Sequence, residues 1–376
     1  MTVEVVDALS AIPAESWNSL AGDDPFLSHE FLSALHDSSC AVTATGWTPQ
    51  YLVLKENGRL AGAMPLYLKT HSYGEYVFDW AWADAYHRHG FNYYPKLLSA
   101  IPFTPVSGRR VLAFTDAQGD RLIAAALALA QELQVSSFHC LFPPREQAER
   151  MRALGMMLRH GVQFHWTNRG YSSFEDFLSS MNHGKRKRIR QERRKVCEAG
   201  IEFEWREGTA IRDQDWAFFT RCYRQTYREH HSTPYLNRDF FQRMGAALPG
   251  NTLLVIAKRE NRPIAASLLI RNRRSLYGRY WGALEYHPVL HFETCYYQAI
   301  EYCIVRGLET FEGGAQGEHK MARGLLPQET CSAHWLAHPQ FAAAVEQFLA
   351  REARGMTRYV DELHERSPFK TENEPK

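Results

Sequence analysis

The chain has 376 residues, 45% of them hydrophobic, and a formal net charge of +2; it is long enough for two domains with ordinary cores and too balanced to imply a polyanionic partner from its total. Seven cysteines without a C-x-x-C pair, and seventeen histidines without an H-E-x-x-H spacing, argue against a disulfide framework and a metal site. Residues 1–54 contain no Lys or Arg, and the apolar run 122–130 is short and Ala-rich, so neither a secretory signal nor stable membrane insertion is expected and a cytoplasmic protein is.

In chain order, residues 17–35 read as two short helical pieces around Asp24-Pro25. A hairpin comes next over 51–68, then an aromatic-rich strand over 77–83 and a helix over 93–100. Periodicity predicts an amphipathic helix over 120–134, a strand over 136–142, a helix over 145–154 and a strand over 163–166. Ser172-x-x-Glu175 has the form of a capping box opening a helix that ends at Met181. A basic helix then runs from residue 185 to Ala199, with Gly200 as its stop. The second half repeats the mixture: strand 201–205, helices 213–227 and 237–247, hairpin 254–270, strand 276–283, helix 293–306 and strand 309–313. A last helix covers 340–364.

Two of these stretches match at a fixed offset. Glu56-Asn57-x-x-Leu60-Ala61 lies on Glu260-Asn261-x-x-Ile264-Ala265, each inside an apolar run, polar turn, apolar run pattern. Tyr86-His87 then Tyr93-Tyr94 is echoed by Tyr286-His287 then Tyr296-Tyr297. Two matches in the same order predict a duplicated domain. Hairpins exclude a purely parallel sheet, so the expected fold is α/β with a mixed sheet, in two units, 1–172 and 173–366, before a disordered tail at 367–376.

Asp24-Pro25-Phe26-Leu27, Gln163-Phe164-His165-Trp166 through Gly170-Tyr171, the basic run with Gly200-Ile201, Pro234-Tyr235-Leu236 with Phe240-Phe241, and residues 312–323 carry a likeness over almost the whole chain. It resembles the Fem-type peptidoglycan aminoacyltransferases, and within them a Fem-like group of N-acyltransferases. The resemblance implies two tandem GNAT-like domains and an acyl donor, acyl-CoA or aminoacyl-tRNA, used as co-substrate without a tightly bound cofactor. The Q/R-x-x-G-x-G/A loop that normally cradles coenzyme A is missing: the second half has His287-Pro288-Val289-Leu290 there and the first has Arg88-His89-Gly90. Fem-type enzymes lack it too, but some carry a helical arm that this chain does not have. The donor stays open.

Three constellations could carry chemistry. Residues 185–195 hold eight Lys and Arg, four of them, Lys185, Arg186, Lys187 and Arg188, in the opening turn of a helix whose positive end disfavours each by roughly 0.3–1 kcal/mol. Lys185, Arg186 and Arg188 are therefore expected to hold an anion, such as a phosphate on the substrate; a solvated helix face or a nucleic-acid patch are the other readings. The second is the stretch from Phe311 to Gly324, where Gly313, Gly314 and Gly317 precede Glu318, His319, Lys320 and Arg323. Acyl transfer to an amine needs a base for the amine proton and donors for the oxyanion, and Glu318, His319 and Lys320 supply both types. By the resemblance, Lys320 and Gly324 match a Lys shortly before a Gly-containing turn that handles substrate in Fem-type enzymes, although Arg323 stands where the family has an aromatic. The third is aromatic: Asp79, Trp80, Trp82, Asp84 and Tyr86 in the first half and Tyr280, Trp281, Glu285 and Tyr286 in the second. Trp281, Tyr286, Arg323 and Tyr235 are the expected lining, against an ordinary core role. The expectation is a metal-independent acyltransferase moving an acyl or aminoacyl group to an amine of a phosphate-bearing cell-envelope precursor, with tRNA as one carrier of the donor. The alternative is a non-catalytic nucleic-acid-binding protein using residues 185–195.

Overall fold

A computed structural model of the chain describes residues 1–314 and 317–370. The chain falls into two units, Met1–Val162 with Glu329–Tyr359, and Gln163–Gln328 with the described residues from Val360 onward. Each is a mixed α/β assembly.

In unit 1, strands Thr2–Val6, Tyr51–Glu56, Arg59–Met64 and Leu112–Ala113 form an antiparallel sheet in that order. A second row runs from the end of strand Leu326–Leu336 through Ser137–Leu141, Lys96–Ser99, Tyr67–Lys69 and Trp47–Pro49. Its pairs are antiparallel except Lys96–Ser99 with Ser137–Leu141, which is parallel. Helix Asp116–Glu132 starts at a capping box between Thr115 and Gln118. Its apolar face, Leu122, Ile123, Ala126, Leu129 and Ala130, joins Leu52, Leu54, Met64, Phe138 and Met151 in one core.

In unit 2, strands Ile201–Glu207, Thr252–Arg259, Arg262–Arg271 and Ser275–Ala283 are antiparallel neighbours. Strand Thr310–Glu312 then adds parallel to Ser275–Ala283, and the end of strand Met157–Thr167 pairs antiparallel with it. The two predicted hairpins exist and share their details. Both turn through two left-handed residues, Asn57-Gly58 and Glu260-Asn261, which suits the twist of the flanking strands. Both carry a bulge at the lysine preceding the turn, Lys55 and Lys258. The structural correspondence is one residue out of step with the sequence match, because Asn57-Gly58, not Glu56-Asn57, occupies the place of Glu260-Asn261.

Elsewhere the sequence expectation needs correction. The strand expected over 77–83 is helix Trp80–Arg88, and the helix expected over 93–100 contains strand Lys96–Ser99. The alternation Phe78-Asp79-Trp80-Ala81-Trp82 imitates a strand, but Trp82 and Tyr86, four apart, are the pair that packs inward. Lys96–Ser99 is buried on both faces, so it shows no alternation to read. The tyrosine pairs of the two halves are consequently not equivalent. Tyr86-His87 lie on that helix and Tyr286-His287 in a loop, whereas Tyr296-Tyr297 lie in a π-helical turn, Glu293–Tyr297. The cap near residue 172 is shifted as well: Ser173 caps helix Phe174–Ser179 through Asp176 N at 3.1 Å, while Asp176 Oδ2 accepts from Ser172 N and Oγ. Of the tail expected to be disordered, Pro368 O accepts from Asn182 N at 3.0 Å and Lys370 N donates to Ser180 O at 3.0 Å. Residues 371–376 of that expectation lie outside the described residues.

Helix Asp213–Glu229 packs so closely on strand Ser275–Ala283 that Thr226 Oγ1 donates to Trp281 O at 2.9 Å. A methyl group on Gly282 would sit 1.9 Å from Cys222 O. Backbone cannot yield as a flexible side chain does, so Gly282→Ala is expected to lower the stability of unit 2 by about 2–4 kcal/mol in urea unfolding; a loss below about 0.5 kcal/mol would contradict this packing.

Candidate active site

Strand Ser275–Ala283 keeps its parallel partner for three pairs, Ser275↔Thr310, Leu276↔Phe311 and Tyr277↔Glu312. Past Tyr277 it continues without Thr310–Glu312 beside it. A bulge at Leu268/Leu269, opposite Gly278 and Tyr280, leaves Arg279 as the extra residue where the two strands part. The Gly-rich segment begins there, directly after Glu312, and still runs close to the longer strand, since a methyl on Gly314 would lie 3.8 Å from Gly278 O.

The glycines are needed for closeness. A side chain on Gly313 would strike Leu325 at 2.5 Å, and Gly314 and Gly317 have φ of +88° and +115°. Lys320, on the 3-10 turn Glu318–Arg323, folds back over Gly313 and donates from Nζ to Gly314 O at 2.7 Å. It is only 2% exposed. Although it stands in a Gly-rich segment among charges, Lys320 is not a surface lysine, because the missing side chains of Gly313 and Gly314 leave the space it fills. Burial draws its pKa down to about 8, with the nearby Cys295 thiol opposing. His165, paired in register with Glu312, is pushed down to about 4 by burial and then by the Lys320 charge. Its Nε2 lies 3.8 Å from Glu312 Oε2. Cys295 sits in the π-helical turn, and burial raises its thiol to about 12.

The three residues expected to act together point different ways. His319 is exposed, with Nε2 3.2 Å from Tyr296 OH, and burial of its inner edge followed by the charges of Lys320 and Arg323 lowers its pKa. Glu318 faces solvent and pairs with Arg366 at 3.4 Å. Trp281 lies against His291 in a tilted pair with ring centres 4.7 Å apart, and His291 continues to Tyr296 at 5.4 Å and to His319 at 6.5 Å. One aromatic wall thus joins Trp281 to His319. Tyr235 belongs to another, through Tyr227, Tyr223 and Tyr280. Tyr286 is 89% exposed and lines neither.

Arg323 is buried at 2% exposure and committed within the fold. Its Nη2 lies 3.0 Å from both carboxylate oxygens of Glu192, its Nη1 donates to His319 O at 2.8 Å, and its guanidinium lies 3.4 Å over the Phe292 ring. Glu192, an acid inside the basic run, was not singled out from sequence. The helix His183–Glu198 is capped by Asn182, whose Oδ1 accepts from Lys185 N at 3.0 Å. Arg188 pairs with Glu192, Arg190 with Glu175, and Arg193 with Glu293 and Glu301. Lys185 and Arg186, half-buried in the first turn, have no acid partner among the described residues. Three of the eight cations, Arg188, Arg190 and Arg193, are thus paired, and Lys185 and Arg186 are set apart from exposed Lys187 by being half-buried. Cys295 and His291 also escaped sequence reading, and His165 and Tyr296 entered it only through the family likeness and the repeat, not as site residues. Among the described residues no group of three His, Cys, Asp or Glu is disposed to hold a metal ion, and no helix is long and apolar enough to cross a membrane.

Removing one partner of a buried pair strands the other charge. Arg323→Met is accordingly expected to cost about 3–5 kcal/mol in urea unfolding, whereas an arginine reserved for substrate would leave stability unchanged.

A profile of the FemAB-like family, described as peptidoglycan biosynthesis/recognition, matches residues 8–371. No curated protein matches the sequence. Among solved structures, FemX superposes with a TM-score of 0.56 at 12% identity, over 92% of this chain and 100% of that one. The C-terminal domain of a putative lysylphosphatidylglycerol synthetase from Agrobacterium fabrum gives 0.56 at 8% identity, over 92% and 97%. L-PGS from Bacillus licheniformis gives 0.52 at 10% identity, over 87% and 97%. These likenesses concern the fold, which is the tandem acyltransferase arrangement expected from the sequence. With nearly its whole length matched, the chain belongs to the FemAB-like family.

Proposed function

We propose that the protein is an N-acyltransferase that moves an acyl or aminoacyl group from a carrier to the amine of a cell-envelope precursor, without a metal, and that Lys320 is the residue around which the reaction is organised. The observation that carries this reading is a buried ammonium at the mouth of a parted strand pair, held by a single carbonyl, Gly314 O. The family description and the names of the fold relatives, FemX, a putative lysylphosphatidylglycerol synthetase and L-PGS, support aminoacyl transfer in the envelope.

In this reading the acyl carbonyl enters the gap where Ser275–Ala283 leaves Thr310–Glu312. The amine nitrogen forms its bond to the carbonyl carbon, and the carbonyl oxygen becomes an oxyanion that the Lys320 ammonium stabilises in a site of low polarity. His319, whose lowered pKa keeps it neutral near pH 7, takes the amine proton. The bond to the carrier oxygen of an aminoacyl-tRNA, or the sulfur of an acyl-CoA, then breaks, and the leaving group takes a proton back. Glu318, outward and paired with Arg366, is assigned to holding the turn. Lys185 and Arg186, the two half-buried first-turn cations, neither with an acid partner among the described residues, would hold a phosphate of the substrate at the positive end of their helix; Arg188, paired with Glu192, would contribute only charge.

The pH behaviour of Lys320 gives opposite signs for rate and stability. As a cation it is needed for the oxyanion, so turnover should fall as pH rises through about 8, and Lys320→Arg should move that fall upward. Its depressed pKa means the unfolded state binds the proton more tightly. The penalty to folding is complete below about pH 8 and disappears towards 10.5. Lys320→Met should therefore lose at least about 100-fold in turnover while gaining about 1–3 kcal/mol of stability at pH 7. Full activity in Lys320→Met would move the reaction elsewhere.

For the helix start, reversal of Lys185 and Arg186 to Glu should abolish the thermal shift given by the substrate found in a screen of acyl-CoA, aminoacyl-tRNA and nucleotide-linked precursors. The apo protein should be as stable or gain about 0.3–1 kcal/mol per position, because acids suit that helix end. An apo loss beyond about 1 kcal/mol would show that the two cations are structural.

A further inference from the structure

Unit 1 buries a second set of charges. Lys69 and Lys96 stand directly opposite in the antiparallel pair of Tyr67–Lys69 with Lys96–Ser99, and both are fully buried. Like charges at that spacing repel, and the loop of residues 70–79 answers them. Lys96 Nζ donates to Ser72 Oγ at 2.7 Å, to Glu75 Oε2 at 2.8 Å and to Asp79 Oδ2. Tyr93 OH also donates to Asp79 Oδ2 at 2.7 Å, and its oxygen lies 3.0 Å from His139 Nε2. His139 Nδ1 meets His334 Nδ1 at 2.8 Å, and His334 Nε2 meets Ser332 Oγ at 2.8 Å. Burial pushes His139 down to about 3 and His334 well below the usual histidine range. With both rings neutral one proton order fits: Ser332 donates to His334, His334 to His139, and His139 to Tyr93. This side of the cluster is satisfied.

The other side is not. Lys69 Nζ, Glu75 Oε1 and Asp79 Oδ1 are buried with no hydrogen-bond partner among the described residues. Lys69 rests over the Trp47 ring at 3.8 Å, and burial brings both its pKa and that of Glu75 to about 7. Unmet donors and acceptors of this kind are costly and rare in a finished core. The backbone around them is also held in unusual states. Tyr76 has φ of 63° and Phe103 of 59°, and a methyl on Gly74 would strike the Phe103 ring at 2.6 Å. The same loop turns Tyr73 and Phe78 outward, 58% and 54% exposed, with Trp80 at 41% and its ring 5.0 Å from Tyr73.

We propose that Lys69, Glu75 and Asp79 form a ligand site of unit 1 that takes a compact zwitterion, a carboxylate beside an ammonium as in the head group of an amino acid. The unmet ammonium is the complement of the carboxylate, and the two unmet carboxylate oxygens are the complement of the ammonium. A bare metal cation would be opposed by Lys69 and Lys96, and a bare anion by Glu75 and Asp79. The outward rings of Tyr73, Phe78 and Trp80 offer apolar surface to whatever the head group is attached to. The site does not depend on the role given to Lys320.

Calorimetric titration of the full chain with glycine and L-alanine, with methylamine and acetate as single-charge probes, tests it. One amino acid should bind one-to-one and at least tenfold more tightly than either single-charge probe. Lys69→Met and Glu75→Gln should each weaken it at least tenfold, while Lys320→Met binds as the wild type does. If Lys69→Met does not fold, Glu75→Gln, which keeps the side-chain shape, decides alone. No saturable binding of either amino acid, unchanged binding in the folded variants, loss of binding in folded Lys320→Met, or ordered waters alone at the three atoms in glycine-soaked crystals would overturn the proposal.

Discussion

Glu192 is the residue on which unit 2 turns. It is the acid of a helix otherwise read for its cations, and it collects Arg323 from the Gly-rich segment, Tyr297 from the π-helical turn and Arg188 from its own helix. A carboxylate this buried is tolerated because its charge is matched and its oxygens are engaged. The pairing ties the 3-10 turn Glu318–Arg323 to two helices at once. With that turn fixed, Lys320 has one way to point, back over Gly313 towards Gly314 O. Electrostatics thus positions the ammonium indirectly: Arg323 holds the turn, and Lys320 reaches Gly314 O.

How much of this could be read from the chain depended on whether the signal was local. The hairpins were legible because two apolar runs flank a short polar turn in each, although the match between them was drawn one residue early at Glu56-Asn57. The Gly-rich segment with Lys320 was legible because glycines and charges are rarely adjacent without cause. Its most important property was not: Lys320 is buried by Gly313, Gly314 and Leu325 acting together, and burial is a property of the assembled fold. Arg323 shows the same limit. Its type suggested a ligand, but its partner lies 131 residues away and inside a run whose composition hid it.

The first half was misread where burial erased periodicity. Lys96–Ser99 has both faces covered, and the aromatics of 78–86 alternate like a strand while packing like a helix. Asp79 was noticed only as one member of an aromatic-rich stretch, and its ties to Lys96 and Tyr93 exist only once residues 70–79 are folded against the strand at Lys96. The two halves share a hairpin with the same turn and bulge, and they diverge beyond it. One places a helix after the hairpin and a charged cluster under it; the other places a parted strand and a glycine turn.

The π-helical turn Glu293–Tyr297 has a consequence for how such a site can change. A helix that widens for one turn holds one residue more than its hydrogen-bond ladder needs. Neighbouring Tyr296 and Tyr297 can thereby serve separate partners, His319 and Glu192. Losing a single residue there would let the ladder close as an ordinary α-helix while turning Leu290–Phe292 by about 100° against Gln298–Arg306. The helix would survive, but the wall of rings and the hold on Glu192 would no longer face the same side. In this segment the length of the chain itself decides which partners Tyr296 and Tyr297 can reach.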